Sequence, residues 1–287
     1  MKLTPVSPNK SLNLGIAFFI GLILPFAGFG AKNFMDNSIK DEFYMRSITK
    51  LPSIGRIYHY KKKKHQSSIL IDMPRSAIAE SFRSVRTNIE YFLEGKRKQV
   101  ILITSTMTGE GKSFCSMNLA TSMALLNRRT VLVDFDVRKP NLHQSLNVNN
   151  ELGMSSFLNG KAKMEDIIVN TEIPNLDFIP AGPIPFNPAE LISSERTEDL
   201  LTELGNKYDY IIIDTPPLGL VTEAFLLMKY ADLKLFVVRE GCTSKKQLSI
   251  LLNELESKKI NNIFWLYNDV DVKGTEYGKK NAYYTND

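Results

Sequence analysis

The 287-residue chain, 43% hydrophobic and 23% charged, is long enough for one sizeable α/β domain with appendages and is neither disordered nor fibrous. Its 36 Lys and Arg against 31 Asp and Glu leave a mild basic excess, part of it in Lys61 to Lys64. That run suits a membrane surface better than a nucleic-acid groove, so no nucleic-acid partner is expected. Cys115 and Cys242 imply no disulfide framework, and His59, His65 and His143 show no ligand spacing, so no zinc-type site is expected.

After an N-terminal flank, residues 1–11, the stretch Leu12 to Gly30 reads LNLGIAFFIGLILPFAGFG, nineteen residues without a charge. At about 1.5 Å per residue it nearly spans a hydrocarbon core of ~30 Å, which predicts a transmembrane helix over 12–30. The stretch is longer than a typical signal core and no small-residue cleavage pattern follows it. Pro25 would kink the helix or mark its end. Lys2 and Lys10 precede the span, whereas Lys32, Lys40, Arg46, Lys50, Arg56 and the Lys61 to Lys64 run follow it, so the bulk of the chain is expected to be cytoplasmic.

Residues 31–74 carry no sustained periodicity and read as a juxtamembrane linker. The folded core, 75–267, is expected to begin with a helical stretch from Arg75 that Pro74 precedes and Gly95 caps. Short apolar runs then alternate with amphipathic stretches. The runs are QVILIT, TVLVD, LDFIP, YIIID, LKLFVV and NIFWLY; helices are predicted from Lys112, over about Pro188 to Leu204, and over about Thr243 to Ser257. Apolar strands without polar alternation, separated by helices, indicate a parallel sheet covered on both faces. The fold class is therefore doubly wound α/β, a mostly parallel sheet of the P-loop type behind one membrane helix. Residues 268–287 are too polar to join the core and read as a flexible tail.

After QVILIT comes Ser105 to Ser113, STMTGEGKS, and then a helix. Strand, glycine loop and helix in that order make a phosphate cradle for ATP, formed by Thr108, Gly109, Glu110, Gly111, Lys112, Ser113 and Phe114. The glycines let backbone amides converge on phosphate oxygens, Lys112 reaches the β and γ phosphates, and the Ser113 hydroxyl is placed to ligate Mg²⁺. Thr106 stands where the usual eight-residue pattern begins with glycine.

Two further strands end in carboxylates: VLVDFDVRKP carries Asp134 and Asp136, and YIIIDTPP carries Asp214. Parallel strands bring their carboxyl ends to one rim, where ligands bind in such folds. The three acids are thus expected to face the phosphate loop as a site for Mg²⁺ and for activating a nucleophile.

The set STMTGEGKS, VLVDFDVRKP and IIIDTPP resembles the Walker A, Walker A′ and Walker B motifs of the bacterial tyrosine kinases, over residues 75 to 287 and including AGPIPFNPAELI and GLVTEA. The resemblance implies that Lys112 and Ser113 bind phosphate and metal. It gives Asp136 and Asp214 to Mg²⁺, directly or through water, and makes Asp134 the base for a tyrosine hydroxyl. The segment before the core resembles the last membrane helix of the polysaccharide co-polymerase unit often fused to these kinases. In the fused form a first membrane helix and a periplasmic domain are expected as well, and neither precedes Met1.

Tyr277, Tyr283 and Tyr284 crowd a polar terminus and resemble the tyrosine cluster on which the family autophosphorylates. They lie 10 to 17 residues beyond Tyr267, a reach of about 35 to 60 Å, enough to enter a neighbouring subunit's site. Glu80, Arg83 and Arg86 have the spacing of an ordinary surface ion pair, and that spacing also resembles the family's subunit-contact motif. The resemblance implies a homo-oligomeric ring at the bacterial inner membrane with the kinase domain cytoplasmic, working with polysaccharide export machinery and a cognate tyrosine phosphatase. The same loop and acids also serve nucleotide-switch ATPases of the partition or division-site type. Their sign is an extra lysine early in the loop, and Ser105 to Thr108 contains none.

Overall fold

The computed structural model describes residues 12–23, 36–60, 68–93 and 98–271. Two compact units are formed, residues 1–38 and residues 39–287. In the first, residues 12–23 are helical (α1). Among the described residues no helix is long and apolar enough to cross a membrane; residues 24–30 of the expected span lie outside them, as do Gly95 and all three tail tyrosines.

The second unit is a single eight-stranded sheet flanked by helices. In chain order its elements are α2 (Glu42–Ile48), β1 (Ser53–Tyr58), α3 (Ile69–Asp72), α4 (Ala77–Phe92), β2 (Gln99–Ser105), α5 (Lys112–Ala124), β3 (Thr130–Asp134) and α6 (Leu142–Ser145). Then follow α7 (Met154–Leu158), α8 (Met164–Ile167), β4 (Val169–Asn170), β5 (Leu176–Ile179), α9 (Pro188–Ser193), α10 (Glu195–Lys207) and β6 (Tyr210–Asp214). The described elements finish with α11 (Glu223–Leu227), a 3₁₀ turn (Met228–Tyr230), β7 (Leu233–Arg239), α12 (Lys245–Ser257) and β8 (Ile263–Val270).

The strand order is β1-β8-β7-β2-β6-β3-β5-β4, with every pairing parallel except the short β4 against β5. Side chains on a strand alternate between faces. Val131, Val133, Ile211 and Ile213 accordingly enter the core beneath α9, α10 and α12, while Leu132 and Ile212 enter the opposite core with α4 and α5. Both faces are covered, so every residue of β3 and β6 is buried and neither strand shows polar alternation.

Three expectations are corrected. The segment read as a linker contains β1, which pairs with β8 at the sheet edge and buries Ile54 and Ile57 completely. Its Gly55 and an exposed Arg56 interrupt the apolar run, so no strand signal rises above the background. The helix expected over about Pro188 to Leu204 is two helices, because Ser194 is extended (φ −68°, ψ 156°) and ends α9 where α10 begins. Finally, β8 continues to Val270, beyond the expected end of the core. Its polar Asn268 and Asp269 are accommodated because each has a hydrogen-bonding partner inside the fold.

Candidate active site

The site lies where β2, β6 and β3, adjacent in the sheet, reach their carboxyl ends. Register brings Asp134 of β3 opposite Asp214 of β6, and Asp214 opposite Ile103 of β2, just before the phosphate loop. The loop itself turns on Gly109 (φ +86°) and Gly111 (φ +94°), and Gly111 opens α5 without any side-chain cap. The first amides of that 13-residue helix are thereby left for an anionic ligand.

Lys112 is buried, with its ammonium nitrogen 4.0 Å from Asp136 Oδ2. Asp214 accepts two hydrogen bonds from α5, from Ser113 Oγ at 2.6 Å and from Ser116 Oγ at 2.8 Å. Asp134 Oδ1 accepts the Asp136 N–H at 3.0 Å, while Oδ2 has no partner among the described residues although Asp134 is only 1% exposed. An unpaired buried carboxylate oxygen is costly unless a ligand or cation completes it. All three acids have raised pKa values, and burial is the first cause in each. The charges of Asp214 and Asp136 push Asp134 further up, whereas Lys112 opposes the rise at Asp136 and Asp214, helped at Asp214 by the two serine hydroxyls. A cation bound beside them would reverse that balance.

A cavity of about 570 Å³ opens here, lined among others by Thr108, Lys112, Ser113, Phe114, Asp136 and Arg239. Of the expected loop residues, Glu110 takes a different part. Its side chain turns inward, is 1% exposed, and accepts the N–H groups of Thr106 and Met107 at 2.7 and 3.1 Å. It braces the first turn of the loop where the usual glycine is missing.

The structure also adds residues that the motifs did not indicate. Arg138 donates twice to Glu223 Oε1, at 2.8 and 2.6 Å, tying the loop after Asp136 to α11. Arg138 stands four residues beyond Asp134 in the same motif, which is a legible signal. Arg239 and Asn268 reach the phosphate loop from the ends of β7 and β8, which also lie on the ligand-binding rim, and Asp269 lines the same cavity. Glu80, Arg83 and Arg86 sit together on α4. Arg83 pairs with Glu80 at 2.8 Å and donates to the Pro74 carbonyl, and Arg86 donates to the Ser122 carbonyl at 2.9 Å.

A mostly parallel, doubly wound sheet with a phosphate loop between its first central strand and the following helix defines the P-loop nucleoside triphosphatase class, a fold that binds ATP together with a divalent metal. Comparison with known proteins narrows the class. A family model described as an AAA domain matches residues 98–264. The tyrosine-protein kinase YwqD of Bacillus subtilis is 35% identical over 217 residues, covering 75% of this chain and 92% of that protein. The tyrosine-protein kinase ptk of Acinetobacter johnsonii is 32% identical over 283 residues, covering 95% of this chain but 39% of that longer protein. The crystal structure of the chimerical protein CapA2B2 superposes with a TM-score of 0.74 at 35% identity, covering 80% of this chain and 100% of its own. The chain belongs to the bacterial tyrosine-protein kinase family.

Proposed function

We propose that this chain is an ATP-dependent protein-tyrosine autokinase that phosphorylates its own C-terminal cluster, Tyr277, Tyr283 and Tyr284, in trans between subunits and so regulates capsular or exopolysaccharide synthesis and export. The observation that carries the reading is the meeting of Lys112, Ser113, Asp134, Asp136 and Asp214 at one rim of the sheet, in a chain whose relatives are named as tyrosine kinases.

The attacking phenol oxygen forms the new O–P bond as the bond from the γ phosphorus to the β–γ bridging oxygen breaks and ADP leaves. The phenol proton passes to Asp134, the carboxylate with an uncommitted oxygen. Lys112 offsets charge on the transferring phosphoryl oxygens, and the loop amides and the open end of α5 hold the remaining phosphates. The donor set suits Mg²⁺, which keeps waters and phosphate oxygens and needs only one or two carboxylates: Ser113 and Asp214 would hold it, with Asp136 directly or through water. Bound there, Mg²⁺ would neutralise charge between the β and γ phosphates.

The same reading carries the assembly and location. Residues 12–30 anchor the chain in the inner membrane and the catalytic unit is cytoplasmic, supported by the uncharged run and the basic residues after it. Glu80, Arg83 and Arg86 contact a neighbouring subunit in a ring. Accumulating phosphate on crowded tails loosens that ring, and a cognate phosphatase resets it. The domain boundary follows the sheet, with the catalytic unit beginning before β1.

Purified chain incubated with labelled ATP and Mg²⁺, then mapped by mass spectrometry, tests the reaction. Label is expected on Tyr277, Tyr283 or Tyr284 and is lost in Lys112→Met. Hydrolysis of ATP with no tyrosine labelled would overturn the kinase in favour of a nucleotide switch.

A further inference from the structure

The loop that would hold phosphate is flexible by composition, since two of its residues are glycine and each sits at positive φ. A peptide plane carrying a glycine can turn over at low cost, and a turned plane presents a carbonyl to the ligand instead of an amide. Something outside the loop must oppose this if the cradle is to be formed before the ligand arrives. Because a trans peptide is planar, its C=O and N–H point in opposite directions. Holding the carbonyl of residue 109 therefore directs the amide of residue 110 to the other side, and holding the carbonyl of 110 directs the amide of 111.

Two side chains do this. Arg239 Nη1 donates to the Gly109 carbonyl at 2.7 Å, and Asn268 Nδ2 donates to the Glu110 carbonyl at 2.9 Å. Asn268 is buried and lies so near Gly111 that a Cβ there would collide with its amide nitrogen. Arg239 is fixed in turn by Asp269, whose Oδ2 accepts the Nε–H at 2.9 Å and lies 2.9 Å from Nη2 as an ion pair. The other oxygen, Oδ1, lies 2.6 Å from His59 Nδ1, just beyond the end of β1. Asp269 adopts φ +66°, in the left-handed region that Asp and Asn tolerate better than other non-glycine residues. Its carboxylate is thus held from two sides, by Arg239 at the end of β7 and by His59 just after β1.

We infer that Arg239 and Asn268 are positioning residues of the phosphate site, which pin consecutive carbonyls of the glycine loop and thereby aim its amides at the ligand, and that Asp269 and His59 hold Arg239 in that role. The inference rests on the loop being a phosphate cradle. It separates cleanly from a direct electrostatic role by sign. Were Arg239 only a nearby positive charge, removing the neighbouring carboxylate of Asp269 would tighten anion binding. In a positioning chain the same change weakens it, because Arg239 is released.

Titration calorimetry of the full chain with ADP, and separately with inorganic pyrophosphate, which has no nucleoside, distinguishes the two. Asp269→Asn and Arg239→Ala are expected to weaken both ligands, by about threefold and about tenfold respectively, and Asp269→Asn should add nothing further in the Arg239→Ala background, as for two links of one chain. His59→Ala, an exposed change at a residue that does not itself line the cavity, should weaken both by about twofold and serves if the other variants fail to fold. Unchanged or tighter pyrophosphate binding in Asp269→Asn overturns the inference. So does a loss confined to ADP, which would place Arg239 on the nucleoside, or additive effects in the double variant. For His59→Ala, unchanged binding counts against the chain of contacts in the same way. Failure of the underlying reading looks different: the unaltered chain would bind neither ligand, or Lys112→Met would bind both normally.

Discussion

Asp134 illustrates how a site of this kind stores a cost. It is nearly inaccessible, faces two other carboxylates, and leaves one oxygen unpaired. Its folded pKa stands well above the ordinary 3.8, so between those two values the folded chain keeps a proton that the unfolded chain has released. The corresponding stability is fully present below about pH 3.8 and is lost as pH rises through the raised value. Asp134→Asn retains an acceptor for the Asp136 amide and removes the titration. Urea unfolding of the ligand-free protein is therefore expected to show Asp134→Asn more stable by about 1–2 kcal/mol at pH 8, with a smaller gain at pH 5, while tyrosine labelling disappears. Equal or lower stability at pH 8 would mean that the acid is not desolvated as described. The acids and Lys112 were legible because each ends a recognisable run. Arg239 and Asn268 were not, since their partners in the loop lie 130 and 158 residues away in sequence.

Among the elements, β1 departs most from the sequence reading. Periodicity failed there because an edge strand needs only part of its length to be apolar, and the neighbour that makes it a strand, β8, comes more than two hundred residues later. Ile57 is fully buried in the core that α4 shares with β1. Ile57→Ala should cost about 2–4 kcal/mol in denaturant unfolding, as for other large-to-small changes in a packed core, whereas a change in a loose linker would cost almost nothing. The break at Ser194 has a similar origin. Pro188 favours a helix start and the apolar residues beyond it fit a helical period, but the hydroxyls of Ser194 and Thr197 bond back to the carbonyls of Leu191 and Ile192, which satisfies the end of α9 and lets the chain turn.

For the whole molecule, the proposed ring asks more of α4 than packing alone. Glu80 and Arg83 are occupied with each other and with the Pro74 carbonyl, and Arg86 is directed toward Ser122, so a neighbouring subunit must compete with contacts already made. An exposed pair such as Glu80–Arg83 contributes about 0.2–1 kcal/mol, so its exchange is energetically accessible, whereas Arg86 is half-buried and gives up a charged hydrogen bond to the Ser122 carbonyl. A variant with alanine at positions 80, 83 and 86 is expected to sediment as a smaller species with little change in thermal stability; unchanged sedimentation would count against the interface.

Taken alone, the order of residues made the mostly parallel α/β class, the glycine loop and the three strand-end acids legible, because each depends on short-range pattern: a fully apolar strand, a glycine turn, a helix start and a carboxylate at a strand end. Tertiary structure decided the sheet's outer edge, the inward turn of Glu110, and the side chains from β7 and β8 that grip the loop. Those features arise from strand neighbours and side-chain contacts between segments remote in the chain, and such contacts leave no periodic trace in the sequence because any residue able to donate or accept a hydrogen bond can make them once the backbone has brought it near.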